Sequence, residues 1–172
     1  MIISLGSGWK YDGSTYRHPD WDDEKAMNEQ KKIDEFKGVI GIDKGDYGQH
    51  YKRDIRRGLP FSDNTVEEII ADNSLEHIPY GEHFGEDDFV FIMNECLRVL
   101  KPNGIMKILA PNAGKSMSFK DPTHARFITP VTFSYLDKKN PWEYGFDKRW
   151  KVIKVKLLQD DNLIFFKLRA VK

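Results

Sequence analysis

Glycines and aspartates stand at three points of this sequence where a short extended segment ends. Gly6 and Gly8 follow the apolar run at residues 2–5, Asp43 ends "GVIGID", and Asp54 follows a third short segment. Ligands of open α/β sheets bind outside the carboxyl ends of the strands. An aspartate there can accept hydrogen bonds from ribose hydroxyls, and a second one could accept from an adenine amino group. In this chain order, the residues predict a nucleoside-shaped pocket.

Each of these residues also has a purely structural interpretation. Glycine lets the backbone pass close to something bulky, which is either a ligand or another strand. A lone aspartate can be a solvated loop charge or a helix cap. The dinucleotide pattern G-x-G-x-x-G needs a third glycine, and Tyr11 stands at that position. The sequence therefore does not carry the dinucleotide fingerprint.

Two histidines are candidate catalytic residues, His77 in "LEHI" and His124 in "DPTH". Histidine titrates near neutral pH, so either could take a proton from an acceptor group. For His77 the alternative is a structural role in capping or orienting the turn after a strand. For His124, which Asp121 is near enough to orient, the alternative is packing within a loop. Both interpretations stay open.

The same region holds several residues of the types that bind metals. They are Asp121, His124, His77, Glu76 and His83. Their spacing matches none of the familiar metal-ligand motifs. We therefore predict no metal site.

The elements that position these residues alternate between strand-like and helical patterns. The apolar runs typical of buried strands lie at residues 2–5, 38–43, 66–72 and 104–111. Before the last run, Phe89, Ile92, Met93, Cys96, Leu97 and Leu100 follow the spacing of one buried helix face. Strand, helix and strand in succession predict a parallel sheet. The C-terminal "WKVIKVKLL" and "LIFFKLRAV", joined by Asp160-Asp161-Asn162, predict an antiparallel hairpin at its edge.

The segment between the first two strands is long and rich in aromatic residues. Residues 9–20 carry Trp9, Tyr11, Tyr16 and His18 and are predicted as a loop, and residues 21–36 as a surface helix. Long loops without secondary structure are uncommon unless they have a function or are disordered. We interpret 9–37 as a candidate lid over the pocket. A loop packed on the surface is the alternative.

Composition indicates one ordinary globular domain spanning 1–172. The chain has 172 residues, a formal net charge of zero and 40% hydrophobic residues. The balanced charge and scattered Lys-Arg pairs argue against nucleic acid as a partner. The single cysteine, Cys96, cannot form an internal disulfide, which fits a reducing compartment. No apolar run approaches the length of a membrane span, and we expect a cytoplasmic protein without membrane contact.

Five sequence segments resemble the class I S-adenosylmethionine-dependent methyltransferases, in particular small bacterial and phage members with an L-G-x-G first motif. They are "LGSG" (5–8), "GID" (41–43), "RDIRRGLPFSDNTVEEIIADNSLEHI" (53–78), "ECLRVLKPNGIMKILAPN" (95–112) and "DPTHARFITPVTF" (121–133). The resemblance implies an α/β fold, with a Rossmann-like, mostly parallel seven-stranded sheet, helices on both faces and an antiparallel C-terminal hairpin.

The resemblance also implies a cofactor, S-adenosyl-L-methionine, and residues that bind it. Gly6 to Gly8 face its methionyl part, Asp43 holds the ribose, and Asp54 with the backbone of Ile55 holds the adenine. The residues Asn73 and Ser74 lie beside the transferable methyl group. The full implied set is Leu5, Gly6, Ser7, Gly8, Asp43, Lys44, Asp54, Ile55, Asn73 and Ser74.

A small-molecule or sugar-like methyl acceptor is the predicted substrate, because no second domain is present to grip a macromolecule. A methyltransferase of the same fold that acts on a protein or nucleic acid is one alternative. A cofactor-binding subunit without activity is another. Ser4 keeps the inactive subunit open as an alternative. Many members of the family carry an acidic residue just before the first glycine, and this chain has Ser4 in its place.

Overall fold

A computed structural model describes residues 1–6, 38–46, 49–83, 86–137, 145–146 and 149–172. Its strands are β1 (Ile2–Leu5), β2 (Val39–Asp43), β3 (Tyr51–Lys52), β4 (Val66–Asp72), β5 (Glu82–His83), β6 (Glu86–Asp87), β7 (Leu100–Pro111), β8 (Arg149–Leu158) and β9 (Leu163–Val171). Its α-helices are α1 (Asp88–Val99) and α2 (Met117–Lys120). Short 3-10 helices span Ile55–Arg57, Leu75–His77 and Thr132–Asp137.

Seven strands form one sheet in the order β3-β2-β1-β4-β7-β9-β8, and β5 pairs with β6 separately. The pairs β1–β2, β2–β3, β1–β4 and β4–β7 are parallel. The pairs β7–β9 and β8–β9 are antiparallel. This confirms the predicted mostly parallel seven-stranded sheet with an antiparallel hairpin. From β1 the strands β2 and β3 follow towards one edge of the sheet, and β4 then lies on the other side of β1. The topological switch point therefore lies between β1 and β4.

The parallel strands and one face of α1 form the main core. Ile3, Leu5, Ile69 and Ala71 are fully buried in the centre of the sheet. Among the residues predicted for the buried face of α1, Ile92, Met93, Cys96 and Leu97 are buried. The helix begins at Asp88, and Asp87 is its N-cap. The side chain of Asp87 accepts hydrogen bonds from the backbone N–H groups of Phe89 and Val90.

The strand after α1 differs from the predicted 104–111. The helix ends at Val99, and β7 already begins at Leu100. Leu100 pairs with Val66 and Ile105 pairs with Glu68, so the four residues between bulge out of the ladder. Asn103 has a φ of 66° there. Asparagine tolerates this left-handed conformation, which allows the bulge without breaking the strand.

Some predictions fall outside the described residues. These are the loop at 9–20, the helix at 21–36 and the candidate lid as a whole. Within the described part of the chain, no helix is long and apolar enough to cross a membrane.

Candidate functional site

A cavity of about 450 Å³ lies at the carboxyl ends of the parallel strands, beside the switch point. That volume is within the range of small-molecule and cofactor sites. The described residues that line it are Gly6, Asp43, Lys44, Arg53, Asp54, Ile55, Arg56, Asn73, Ser74, His77, Ile78, Pro79 and Thr123. The structure thus brings seven of the ten predicted cofactor-binding residues to one cavity. It also adds one of the two predicted catalytic histidines.

The other three predicted cofactor residues are Leu5, Ser7 and Gly8. Leu5 is fully buried in the hydrophobic core and does not line the cavity. Its side chain belongs to the core, and its role in cofactor binding stays a prediction. Ser7 and Gly8 lie outside the described residues.

Gly6 is held by its neighbours in the sheet. It has a φ of 61°, a left-handed conformation that favours glycine. A Cβ atom built on it would lie 2.5 Å from the Cβ of Ser74. Its N–H donates to the carbonyl oxygen of Ile42 at 2.9 Å. The close approach of Ser74 alone therefore requires a glycine here, before any ligand is considered.

Asp43 stands at the end of β2 in a fixed orientation. Its Oδ1 accepts from the N–H of Gly45 at 2.8 Å, and its backbone carbonyl accepts from the N–H of Arg53 at 2.7 Å. A carboxylate can accept several hydrogen bonds at once, so an oriented Asp43 at the cavity wall suits the hydroxyl groups of a ligand. The geometry fits the predicted ribose-binding role.

Asp54 is engaged by a residue that the sequence analysis did not single out. Arg56 Nη2 donates to its Oδ2 at 2.6 Å, and Arg56 Nε lies 3.1 Å from both carboxylate oxygens. The side-chain hydrogen bond from Arg56 is the main cause that lowers the pKa of Asp54. Asp54 also caps the 3-10 helix that begins at Ile55. An adenine amino group would thus meet an ionised carboxylate that is already oriented.

The end of β4 contributes Asn73 and Ser74. Asn73 has a φ of 46°. Its backbone N–H donates to the carbonyl oxygen of Leu109, and its Nδ2 donates to Asp72 Oδ1 at 2.6 Å. These bonds fix the chain as it leaves the sheet, so that both residues line the cavity. Their placement fits the predicted position beside the methyl group.

His77 lines the cavity, and a chain of hydrogen-bonded side chains holds its ring. Its Nδ1 lies 3.0 Å from Thr123 Oγ1, and Thr123 Oγ1 donates to Asp121 Oδ1 at 2.7 Å. The single hydroxyl proton of Thr123 is thereby used, so Nδ1 of His77 is the donor in their bond. Burial, and after it the nearby His124, lowers the pKa of His77. The ring is therefore neutral at physiological pH, with a lone pair on Nε2.

His124 packs behind His77 and does not line the cavity. The centroids of the two rings lie 4.8 Å apart at an interplanar angle of 70°. Nδ1 of His124 lies 2.8 Å from the carbonyl oxygen of Ser118, which can only accept, so Nδ1 carries the proton. Asp121 was expected to orient His124, but its carboxylate binds Thr123 and so acts on His77 instead.

Two loops that are distant in the sequence are tied together at this end of the cavity. The carbonyl oxygen of Glu76 accepts from the N–H groups of Ala125 at 2.8 Å and Arg126 at 2.9 Å. The Arg126 side chain adds bonds to the carbonyl oxygens of Ile78 and Pro79. These contacts place His124, the neighbour of Ala125, against the turn that carries His77.

One donor atom each from Glu76, His77 and His124 lies within 4.8 Å of the other two. Glu76 is buried, with a relative exposure of 2%. The sequence analysis predicted no metal site, because the spacing of these residues matches no familiar metal-ligand motif. Spacing along the chain could not reveal the cluster, since the hydrogen bonds between loops create it.

Comparison with known proteins identifies the class. A family model described as a methyltransferase domain matches residues 24–108. No curated protein matches the sequence. Together with the fold and the cavity, this places the chain in the class I S-adenosylmethionine-dependent methyltransferases, and its cofactor is S-adenosyl-L-methionine. The chain is an S-adenosylmethionine-dependent methyltransferase.

Solved structures of the same fold share little sequence with it. An S-adenosylmethionine-dependent methyltransferase from Aquifex aeolicus aligns with a TM-score of 0.58 and 12% identity, over 99% of this chain and 81% of that one. A putative methyltransferase from Haloferax volcanii, in complex with the activator Trm112, has a TM-score of 0.60 and 12% identity, over 99% and 82%. The [4+2]-cyclase SpnF aligns with a TM-score of 0.60 and 12% identity, over 99% of this chain and 74% of that one.

Proposed function

We propose that this methyltransferase acts on a small-molecule or sugar-like acceptor that enters at the His77 end of the cavity. The observation that carries the proposal is the composition of the cavity wall. Carboxylates and strand-end residues line one part, and His77 with Thr123 lines another. The first part fits a nucleoside cofactor, and the second offers polar groups to an acceptor.

The cofactor end of the cavity is assigned residue by residue. Asp43 accepts from the ribose hydroxyls, and Asp54 with the backbone of Ile55 binds the adenine. The methionyl part lies against Gly6, Asn73 and Ser74. When bound, the cofactor supplies a methyl group on a positively charged sulfur, which is already activated for transfer. The main task of the protein is then to position the acceptor, which can lower the barrier by about 7–11 kcal/mol.

The acceptor end is assigned to His77 and His124. His77 presents a neutral imidazole at the cavity, and the Asp121–Thr123 pair fixes the tautomer. His124 supports that ring from behind. In this proposal His77 acts on the proton of the acceptor, and His124 positions the His77 ring.

The test is a methyl-transfer screen with the purified full chain and cofactor carrying a labelled methyl group. Pools of metabolites and free sugars are compared with protein and nucleic-acid fractions. We expect label in a small-molecule product, and we expect slower labelling with Asp43→Ala at subsaturating cofactor. Asp46→Ala is the matched control, because Asp46 is exposed, pairs with Lys52 and does not line the cavity. Label confined to the macromolecular fractions would contradict the proposal.

A macromolecular acceptor is the second candidate, and one surface feature favours it. Phe119 and Phe127 are 65% and 49% exposed, and their ring centroids lie 5.2 Å apart. They flank the loop that carries His124, where they could contact a larger acceptor. Phe119→Ala would then reduce labelling of the macromolecular fraction but leave affinity for the cofactor product unchanged.

A further inference from the structure

Three side chains at the acceptor end combine the donors of a metal site. A carboxylate oxygen from Glu76 and one nitrogen each from His77 and His124 lie within 4.8 Å of one another. Two of the residues are adjacent in the turn after β4, and the third comes from the loop after α2. We infer that Glu76, His77 and His124 bind one divalent transition-metal ion beside the cofactor cavity.

The hydrogen bonds around the two rings prepare them as ligands. Nδ1 of His124 donates to the carbonyl oxygen of Ser118, and Nδ1 of His77 donates to Thr123 Oγ1. In each ring the lone pair is thereby left on Nε2. Metal-binding histidines almost always donate their other ring N–H to a carbonyl, carboxylate or similar acceptor, which fixes ring and tautomer. The Thr123–Asp121 pair extends this support by one more bond.

Electrostatics favours a cation between these three groups. A nitrogen atom from each of two imidazoles and an oxygen atom of a buried carboxylate lie within 4.8 Å of one another, which concentrates electron-rich atoms in a small volume. A cation between them is attracted to all three. The effect is greater near Glu76 than at an exposed site, because burial lowers the local dielectric constant.

The donor set selects the class of metal. Two imidazoles and one carboxylate suit zinc, iron, cobalt and related ions better than magnesium or calcium, which prefer oxygen ligands alone. Ligand atoms bound at about 2.0–2.2 Å from one ion lie closer together than 4.8 Å, so metal binding would draw the three side chains together. With the ion bound, Nε2 of His77 is a metal ligand and cannot also take the proton of the acceptor. Three protein ligands leave a coordination position for water or for an oxygen atom of the acceptor, so the ion then orients the acceptor.

The test measures metal binding directly and without cofactor. The full chain, with any affinity tag removed and metals stripped by a chelator, is titrated with Co²⁺. Binding is followed by calorimetry and by visible absorption, which reports nitrogen and oxygen coordination. We expect one Co²⁺ per chain, displaced by Zn²⁺. Absence of a one-to-one complex would overturn the inference.

Variants locate the ion. His124→Asn is designed to keep the bond to Ser118 while removing Nε2, and we expect it to weaken Co²⁺ binding more than tenfold, as should His77→Ala. Thr123→Val tests the support of His77 and should cost about 10- to 100-fold. His50→Ala is the control, because His50 lies beside β3 and its Nδ1 accepts from the N–H of Gly41. Wild-type affinity in both His77→Ala and His124→Asn would refute the site.

The metal site and the proposed function are tested by separate measurements. Binding of S-adenosylhomocysteine is measured by thermal shift in excess chelator, where no metal is present. A stabilised chain that binds no Co²⁺ would refute the metal site and leave the methyltransferase assignment intact. One Co²⁺ bound, in a chain that does not respond to S-adenosylhomocysteine, would support the site and contradict the cofactor assignment.

Discussion

Gly6 and Ser74 approach so closely that a side chain on Gly6 would place its Cβ atom 2.5 Å from the Cβ of Ser74. The two residues lie just after the ends of neighbouring parallel strands, β1 and β4, on either side of the topological switch point. Gly6 also has a φ of 61°. The first glycine of the L-G-x-G segment thus brings two strand ends together, and the cavity lies where they meet.

Gly6→Ala should destabilise the fold through both features. The left-handed conformation costs a non-glycine residue about 1–2 kcal/mol, and overpacking adds about 1–3 kcal/mol. Urea denaturation would measure the sum. Gly6→Ala combined with Ser74→Gly removes the contact between the two Cβ atoms but not the backbone strain. The double variant should therefore recover part of the loss; no recovery at all would show that the contact is relieved by other means.

The sequence predicted the cavity because strand ends and their order are local properties. The runs ending at Leu5, Asp43 and Asp72 are apolar and short, and parallel pairing aligns their carboxyl ends. That aligned geometry brings Asp43, Asn73 and Ser74 together without any knowledge of loop conformation.

The parts that depend on contacts between loops could not be predicted. The pairing of Arg56 with Asp54 and the bond between His77 and Thr123 need the path of the chain after each strand. The link from Asp121 through Thr123 to His77 was missed for the same reason, since proximity in sequence pointed to His124. The bulge after Leu100 resembled a plain helix stop, because its four residues carry proline, asparagine and glycine.

Asp43→Ala should weaken binding of both cofactor and product. A hydrogen bond to a charged group contributes about 1.5–3 kcal/mol, so the dissociation constant should rise roughly 10- to 150-fold. The ribose does not react, so the Michaelis constant for the cofactor should rise with little change in turnover. Calorimetry with S-adenosylhomocysteine checks this, with Asp46→Ala as the control. Unchanged affinity would show that Asp43 serves only the turn to Gly45.

S-adenosylhomocysteine should stabilise the wild-type chain. A ligand that binds only the folded state adds about 2.7 kcal/mol at one hundred times its dissociation constant. For a chain of this length that corresponds to roughly 5–10 °C in melting temperature. NADH is the control at the same concentration and should give no comparable shift, because the third glycine of the dinucleotide pattern is replaced by Tyr11. A flat response to S-adenosylhomocysteine in a folded sample would contradict the cofactor assignment.

Glu95 should make the stability of the fold depend on pH. Burial raises the pKa of its carboxyl, but hydrogen bonds from Arg98 and from the N–H of Leu59 more than offset this and hold the pKa below its ordinary value of 4.5. The unfolded chain therefore binds the proton more readily, and the stabilisation is present above pH 4.5 and lost as the pH falls below it.

The variant Glu95→Gln isolates that contribution. At neutral pH it should lower the free energy of unfolding by about 1–3 kcal/mol, and the difference from wild type should shrink in acid. Urea denaturation at several pH values measures it. Glu67→Gln is the comparison, because Glu67 forms exposed ion pairs with Lys101 and the N-terminus, which contribute little. A difference that stays constant with pH would mean that the charge of Glu95 is not involved.

His124→Asn should lower turnover and leave cofactor affinity unchanged. His124 does not line the cavity, yet its ring packs 4.8 Å from that of His77 at the acceptor end. His77 is the group proposed to act on the proton of the acceptor, a contribution of typically about 10²- to 10⁴-fold to the rate, and part of it should be lost when the ring that positions His77 is removed. The asparagine amide can still donate to the carbonyl oxygen of Ser118, so the loop should keep its conformation. Normal turnover, or a loss of S-adenosylhomocysteine affinity equal to the loss of rate, would instead make His124 a structural residue of the loop.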